Sequence, residues 1–263
     1  MKTQIVVGID IGSLSAKVVV MDSKKRILSS EVVQRGIIVD EAAAKQCLIT
    51  AMSKAGITPD DVDYSVSTGY GRALPGFGDK NVTEISCHAR GAHFLNPEVR
   101  TIIDIGGQDS KVIALEDSGI VHNFVMNDKC AAGTGRFIEV MSAALGIPLK
   151  DAGALSLQSQ NQAKVSSTCV VFAESEVISL VAKGMKKIDI LAGIHHAIAE
   201  RVSGLSKLAG VRPAVFMSGG VAKNKGVVYH LERAIGEKIF VPEDPQIVGA
   251  IGAALYALDV ILE

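Results

Sequence analysis

Two stretches of this chain can be laid over one another. Ile9-Asp10-Ile11-Gly12 matches Ile103-Asp104-Ile105-Gly106, and the match continues on both sides. Apolar residues lead into each turn, Ile5 to Ile9 and Thr101 to Ile103. A lysine stands seven residues after each aspartate, Lys17 and Lys111. Each lysine opens another apolar run, Val18-Val19-Val20-Met21 and Val112-Ile113-Ala114-Leu115. Acidic turn residues follow, Asp22 and Glu116-Asp117, and then a third run, Ile27 to Val33 and Ile120 to Met126. A repeat of about a third of the chain is too long for a solenoid. It predicts two domains that share a strand–turn–strand–turn–strand opening.

The remainder alternates strand and helix patterns, which implies mixed sheets flanked by helices. In the first domain Glu41 to Ala55 reads as an amphipathic helix ending at Gly56. Asp63 to Ser67 reads as a strand running into Thr68-Gly69-Tyr70-Gly71, and Glu84 to Leu95 as a helix stopped before Pro97. The second domain is expected to hold helices over Gly135–Leu145, Phe172–Ala182 and Ile188–Leu208. A strand at Ala214–Met217, a helix after Gly220 and a strand at Lys238–Val241 follow. The closing helix, Ile247–Leu262, is expected to complete the first domain, giving 1–97 with 246–263 and, between them, 98–245. With no long linker, the hinge falls in the short connections near 96–100 and 242–246.

A strand ending in Asp-x-Gly-Ser or Asp-x-Gly-Gly suits phosphate. Glycine lets the backbone approach an anion closely, and successive exposed N–H groups form a concave anion site. Asp10 or Asp104 can hold Mg²⁺, which takes hard oxygen ligands and keeps several waters. Lys17 can neutralise phosphate charge, and Gln108 can orient an attacking water. A third glycine turn, Ser218-Gly219-Gly220-Val221-Ala222-Lys223-Asn224, can lie flat against a nucleoside. Two other phosphate-binding motifs are missing. There is no GxxxxGK[ST], and Ile138 stands where Gly133-Thr134-Gly135 needs a third glycine for a dinucleotide fingerprint.

Composition narrows the remaining classes. A net charge of -1 over 263 residues leaves no electrostatic footprint for nucleic acid. The 4% aromatic content, with no Trp, argues against base-stacking platforms. The apolar stretch from Ile247 to Leu258 is too short for a membrane span, and Met-Lys-Thr-Gln opens no signal peptide. A cytoplasmic location is expected. None of the four cysteines, Cys47, Cys87, Cys130 and Cys169, forms a CxxC pair. The scattered histidines, including the His195-His196 pair, lack partners at metal spacing, and Lys186-Lys187 reads as a solvated turn.

Paired phosphate turns with a later Gly-Gly adenosine turn resemble the superfamily of actin, sugar kinases and Hsp70. The match narrows at Thr68-Gly-Tyr-Gly-Arg72, Glu84-Ile-Ser-Cys-His88, Ile103-Asp-Ile-Gly-Gly-Gln-Asp109, Asn127-Asp-Lys-Cys-Ala-Ala-Gly-Thr-Gly-Arg-Phe137 and Ser167-Thr-Cys-Val-Val-Phe-Ala-Glu-Ser-Glu-Val177. These segments resemble the activators of 2-hydroxyacyl-CoA dehydratases, a family that includes the ATPase subunits of benzoyl-CoA reductase. The resemblance implies an α/β fold of two duplicated ribonuclease-H-like domains with an ATP cleft between them. It gives Asp10, Asp104 and Gln108 the catalytic roles. Gly12, Ser13, Ser15, Lys17, Gly106, Gly107, Gly219, Gly220, Lys223, Asn224 and Gln246 fall to the nucleotide, bound as ATP or ADP with Mg²⁺.

The resemblance also assigns Cys130 and Cys169 to a [4Fe-4S] cluster. Each precedes a predicted helix, where the dipole and free N–H groups stabilise a thiolate. Four thiolates are the usual ligand set, so two cysteines per chain imply a homodimer with one cluster on its axis. Cys47 and Cys87, at apolar helix positions, read as packing. Glu174 and Glu176 read as serving a helix N-terminus. The activity implied is ATP-driven transfer of one electron, taken from ferredoxin or flavodoxin, into an iron–sulfur acceptor such as a dehydratase or a double-cubane protein. A small-molecule kinase of the same fold and a nucleotide-gated chaperone are the rivals. The first wants a domain-one insertion to shape a substrate pocket and the second a peptide-binding domain, and the chain shows neither.

Overall fold

The computed structural model describes residues 3–34, 41–74, 76–166 and 169–262. In chain order the strands are β1 (Ile5–Ile11), β2 (Ser15–Asp22), β3 (Ile27–Gln34), β4 (Tyr64–Thr68), β5 (Lys80–Asn81), β6 (Thr101–Ile105), β7 (Ser110–Leu115), β8 (Val121–Asn127), β9 (Val215–Ser218) and β10 (Ile239–Phe240). The helices are α1 (Glu41–Ala55), α2 (Glu84–Leu95), α3 (Gly135–Ala144), α4 (Leu149–Ser156), α5 (Val170–Ala182), α6 (Lys187–Ala209), α7 (Lys225–Ile235) and α8 (Val248–Leu262). Two compact units result. One takes the residues up to Val99, Leu115–Val121 and those from Pro242; the other takes Arg100–Ala114 and His122–Val241.

In the first unit the sheet runs β3-β2-β1-β4-β5. β1 pairs antiparallel with β2 and parallel with β4. Side chains alternate across a strand, and here each face meets a helix layer. Val7, Ile9, Ile11, Val18 and Val20 pack with Ala43, Ala44 and Cys47 of α1. Val6, Val19 and Met21 pack with Cys87 of α2 and the apolar run of α8. A strand buried on both faces reads as an unbroken apolar run, which is why Val18 to Met21 shows no polar alternation. Helix α2 starts at Thr83, whose hydroxyl accepts the Ser86 N–H at 3.2 Å. Glycines let α8 come very close. A Cβ on Gly8 would lie 2.0 Å from the Ala250 carbonyl oxygen, and one on Gly252 would lie 1.8 Å from that of Cys87.

In the second unit the sheet runs β8-β7-β6-β9-β10, the same order with the same sense of pairing about its central strand. Ile103, Ile105 and Val112 face a core built from α3, α5, α6 and α7, in which Ile190, Leu191, Ile194, Ile198 and Val202 line α6. Lys186 and Lys187 are both exposed; Lys187 also opens α6, and its Nζ donates to the Leu145 carbonyl at the end of α3. The short α4 after Pro148 went unanticipated. The helix expected after Gly220 begins as a tight 3-10 turn, Gly220–Lys223, before α7 starts. Among the described residues, no helix is long and apolar enough to cross a membrane.

Candidate functional site

The seven-residue spacing from aspartate to lysine follows from strand register. In the β1–β2 hairpin Asp10 lies directly opposite Lys17; in the β6–β7 hairpin Asp104 lies opposite Lys111. Directly opposed residues share a face and bring their side chains together. Lys17 Nζ is 3.1 Å from Asp10 Oδ2, and Lys111 Nζ is 3.5 Å from Asp104 Oδ2 and 2.6 Å from Asp109 Oδ2. Both turns close with the same hydrogen bond, Gly12 N–H to Ser15 O and Gly106 N–H to Asp109 O, each 3.0 Å. Asp10, Asp104 and Lys111 are buried, while Gly12, Ser13, Ser15, Gly106 and Gly107 are partly open and Gln108 is exposed.

The parallel partner of each central strand adds a second matched turn. Thr68 of β4 pairs with Asp10, and Ser218 of β9 pairs with Asp104. Each is followed by a glycine with left-handed φ, Gly69 at 88° and Gly219 at 86°. A Cβ on Gly69 would lie 2.5 Å from both Asp10 Oδ1 and the Ile11 carbonyl oxygen. One on Gly219 would lie 2.9 Å from Asp104 Oδ1 and 2.3 Å from the Ile105 carbonyl oxygen. Only glycine fits that combination of dihedral and crowding. The Ser218 hydroxyl donates to Asp104 Oδ1 at 2.8 Å, so the third glycine turn is keyed to the second phosphate turn. In the first unit, the start of α8 and His88 of α2 close over Asp10: a Cβ on Gly249 would lie 3.1 Å from Asp10 Oδ2 and 2.9 Å from His88 Nε2. Gln246 is buried just ahead of α8.

At its far end the third turn leaves Gly220 and Lys223 exposed and finishes on Asn224. The Asn224 Oδ1 accepts the N–H groups of Gly226 and Val227, at 3.0 and 3.1 Å, and caps α7. Satisfying the first free N–H groups of a helix is what Asn does well.

The segment carrying Cys130 is tied to the second phosphate turn. Asn127, closing β8, donates through Nδ2 to the carbonyls of Cys130 (2.7 Å) and Ala132 (3.1 Å). Helix α3 then begins, and its Gly135 and Arg136 N–H groups donate to the Gly106 and Gly107 carbonyls at 2.9 and 2.8 Å. The N-terminus of α3 is therefore partly spent on the turn, a correction to the expectation that it is free to serve the Cys130 thiol. Cys169 is the N-cap of α5, and α3 and α5 pack together. Ser167 and Thr168 lie outside the described residues. Glu176 does not serve its own helix: its carboxylate accepts the Ser166 N–H, bracing the approach to Cys169 at 2.6 Å.

The four thiols divide into two kinds. Cys47 and Cys87 are fully buried, and burial pushes both up to about 12, which keeps them as neutral packing. Cys130 and Cys169 are half-buried. Among the described residues no three His, Cys, Asp or Glu side chains of the chain form a metal site.

The residues expected at the phosphate turns thus gather around Asp10 in the first unit and around Asp104 in the second, where Gly219, Gly220, Lys223 and Asn224 join them. Sequence reading passed over Lys111, Asp109, Ser218 and Thr68 as site residues. The repeat did mark Lys111 as the counterpart of Lys17. Nothing short-range marks Ser218, which meets Asp104 across 114 positions.

Comparison with known proteins places these features. The model of the BadF/BadG/BcrA/BcrD ATPase family matches residues 7–257. The chain is 48% identical to the 2-hydroxyisocaproyl-CoA dehydratase activator of Clostridioides difficile, over 96% of this chain and 94% of that one. It is 46% identical to the (R)-2-hydroxyglutaryl-CoA dehydratase activating ATPase of Acidaminococcus fermentans, over 95% of each. The solved structure of the activator of 2-hydroxyisocaproyl-CoA dehydratase from Clostridium difficile, with bound ADPNP, superposes with a TM-score of 0.93 at 47% identity, covering 98% of this chain and 95% of that one. The fold alone extends to a ROK family glucokinase from Streptomyces griseus, with a TM-score of 0.55 at 15% identity over 97% and 99% of the two chains. The two sheets with their flanking helices are therefore the duplicated α/β architecture shared with sugar kinases.

Proposed function

Because the chain belongs to the BadF/BadG/BcrA/BcrD ATPase family, we propose that it is an ATP-driven one-electron donor that activates an iron–sulfur enzyme of the 2-hydroxyacyl-CoA dehydratase type. The observation that carries this reading is the pair of hydrogen bonds from the start of α3 to the Gly106 and Gly107 carbonyls. They join a turn suited to phosphate directly to the segment that presents Cys130.

In this reading Asp10 and Asp104 hold Mg²⁺, directly or through water, and the turns at Gly12, Ser13, Ser15, Gly106 and Gly107 receive the phosphates of ATP. Before nucleotide binds, Lys17 and Lys111 neutralise the aspartates; with nucleotide present their charge is available to phosphate. Gln108, exposed beside the second turn, orients the attacking water. Gly219, Gly220 and Lys223 face the nucleoside. Asn224, expected among the nucleotide contacts, instead closes their turn as the cap of α7. Gln246 is a further nucleotide residue in this reading. The chain divides functionally into 1–97 with 246–263 and 98–245, hinged near 96–100 and 242–246, and works in the cytoplasm.

The donor chemistry fits a [4Fe-4S] group. Two thiols are kept neutral by burial, and two are accessible at Cys130 and Cys169, so two chains together supply the usual four thiolates. Such a group supplies one-electron storage at low potential. Helix α5 supports the homodimer: just after Cys169 it leaves Val171, Phe172 and Ile178 largely exposed, an apolar face suited to burial against another chain. Reduced ferredoxin or flavodoxin is the donor class, and a dehydratase or double-cubane protein the acceptor class.

The test is an anaerobic preparation assayed for iron, acid-labile sulfide and ATP hydrolysis. Iron is expected in the wild-type dimer and in Cys47→Ala, and lost in Cys130→Ala and Cys169→Ala. An iron-free wild-type dimer, or full iron in Cys130→Ala, refutes the cluster assignment.

A further inference from the structure

His195 sits in the middle of α6, fully buried, on a helix whose neighbouring inward positions are Leu191, Ile194 and Ile198. An apolar side chain there would bring no buried polar atom to satisfy. The imidazole instead brings one nitrogen with a partner and one without. Nε2 lies 3.2 Å from Asn224 Nδ2, and Nδ1 has no hydrogen-bond partner.

The donor and acceptor roles follow from the cap. Asn224 Oδ1 already accepts two α7 N–H groups, which turns Nδ2 toward His195. An amide nitrogen only donates, so Nε2 must accept, and the proton of the neutral ring resides on Nδ1. Burial agrees, lowering this histidine to about 3, with the charge of His230 acting in the same direction. Nδ1 lies beside Gly226, where a Cβ would come within 2.6 Å of it and within 2.3 Å of Ser156 Oγ. A buried donor left unpaired costs about 1–3 kcal/mol, so the site retains a penalty that an apolar residue would avoid.

What the histidine gives in return lies at Asn224, the last residue of the Ser218–Asn224 turn. The opposite end of that turn is fixed by the Ser218 hydroxyl on Asp104. Gly153 of α4 lets its backbone approach the Asn224 amide, since a Cβ there would lie 2.5 Å from Asn224 Oδ1. Three helices, α4, α6 and α7, thus converge on one side-chain amide, and the side chain that meets its Nδ2 is that of His195.

We infer that His195 is a positioning residue for nucleotide binding: by accepting from Asn224 Nδ2 it locks the end of the Ser218–Asn224 turn in the shape that receives the nucleoside. The inference rests on the proposed use of that turn for ATP. His195 touches no nucleotide and acts only through Asn224, so its loss weakens affinity and leaves the hydrolytic step in place.

The atom at stake selects the variants. A glutamine amide places its oxygen near Nε2, and an asparagine amide reaches only as far as Nδ1. The anaerobically prepared dimer is titrated with ADPNP, and KM and kcat for ATP are measured, for wild type, His195→Gln, His195→Asn and His195→Leu, with a thermal melt of each. His195→Gln is expected to bind ADPNP within about threefold of wild type. His195→Asn and His195→Leu are expected to bind about tenfold more weakly, the loss of one hydrogen bond of typical net strength, with KM raised alike and kcat within about threefold. In an Asn224→Ala background, His195→Asn is expected to add nothing further. If His195→Leu does not fold, the Gln and Asn pair decides. Equal affinity for Gln and Asn, or a loss in kcat alone, overturns the inference while wild-type binding of ADPNP leaves the nucleotide site standing. Failure of wild type to bind ADPNP overturns both.

Discussion

Replacing Gly252 with alanine tests how α8 is seated in the first unit. The added Cβ would lie 1.8 Å from the Cys87 carbonyl oxygen and 2.8 Å from the Cys87 Cα. Real Cβ contacts essentially never fall below 3.0 Å, so α2 and α8 would have to part by about 1.2 Å. The obstacle is helix backbone, which cannot rotate aside as a side chain would. Parting the helices also opens gaps elsewhere along them, since Gly91 and Gly8 hold α8 just as close. Overpacking a tight core costs about 1–3 kcal/mol, occasionally more, and the backbone obstacle puts this case at the upper end. Alanine returns up to about 1 kcal/mol of helix propensity. The net expectation is a destabilisation of about 2 kcal/mol. At about 2–4 °C per kcal/mol for a chain of this size, the first melting transition falls by about 4–8 °C. The matched control is Gly204→Ala in α6, where nothing lies within 4 Å of the new Cβ; it gains the propensity alone and is expected to melt slightly higher. Both are read by circular dichroism under one set of conditions. Gly252→Ala melting at or above wild type would refute this close seating of α8.

In nucleotide-free, metal-free protein, a thiol reagent is expected to modify Cys130 and Cys169 quickly, and Cys47 and Cys87 only on unfolding; peptide mapping after brief labelling checks this. Acidification is expected to destabilise the fold through its buried histidines. His195 is held at about 3 and His230 at about 4, against 6.5 in the unfolded chain; burial is the main cause for both, and neighbouring His196 and Arg233 add to it at His230. The unfolded chain therefore takes up protons that the folded chain refuses, so this stability is complete above about pH 6.5 and declines toward pH 3. For His195 the slope is about 1.4 kcal/mol per pH unit, and urea midpoints at pH 7.5 and 5.5 measure it; equal midpoints would contradict the burial of both rings. Asp104→Asn is expected to lower ATP hydrolysis by about 100-fold with the fold intact, whereas Ser218→Ala, which removes one hydrogen bond to that carboxylate, is expected to cost about tenfold or less. A coupled assay on both variants decides the order.

Much of this architecture can be read from the chain because its signals are local. The Asp-x-Gly turns and the lysines that follow sit within single hairpins, where register turns spacing directly into contact. The apolar runs beside them mark strands buried on both faces. The partners that escaped notice meet only through long-range pairing. Ser218 reaches Asp104 because β9 lies parallel to β6, and Thr68 reaches the Asp10 position by the same route through β4. His195 looked like one of several scattered histidines because its partner, Asn224, lies on another element. Helix α4 is only eight residues long, carries a glycine at mid-length and has no side-chain cap, and it packs on α6 and α7.

Helix α3 is pinned at both ends. Its first N–H groups bond to Gly106 and Gly107, and the carbonyl of Leu145, just past its last turn, receives Lys187 from the start of α6. Ten residues of α-helix span about 15 Å, too short a rod to bend appreciably. Mechanically it is a strut and not a lever. A lever would magnify a small shift at the turn into a wide swing of its free end. A strut has no free end, so a push along its axis at Gly106 arrives at the start of α6 at nearly its original size. That far end does not rest on Lys187 alone, because Met141 and Leu145 are fully buried in the core of the second unit, so shortening the lysine would soften one joint and leave the strut in place.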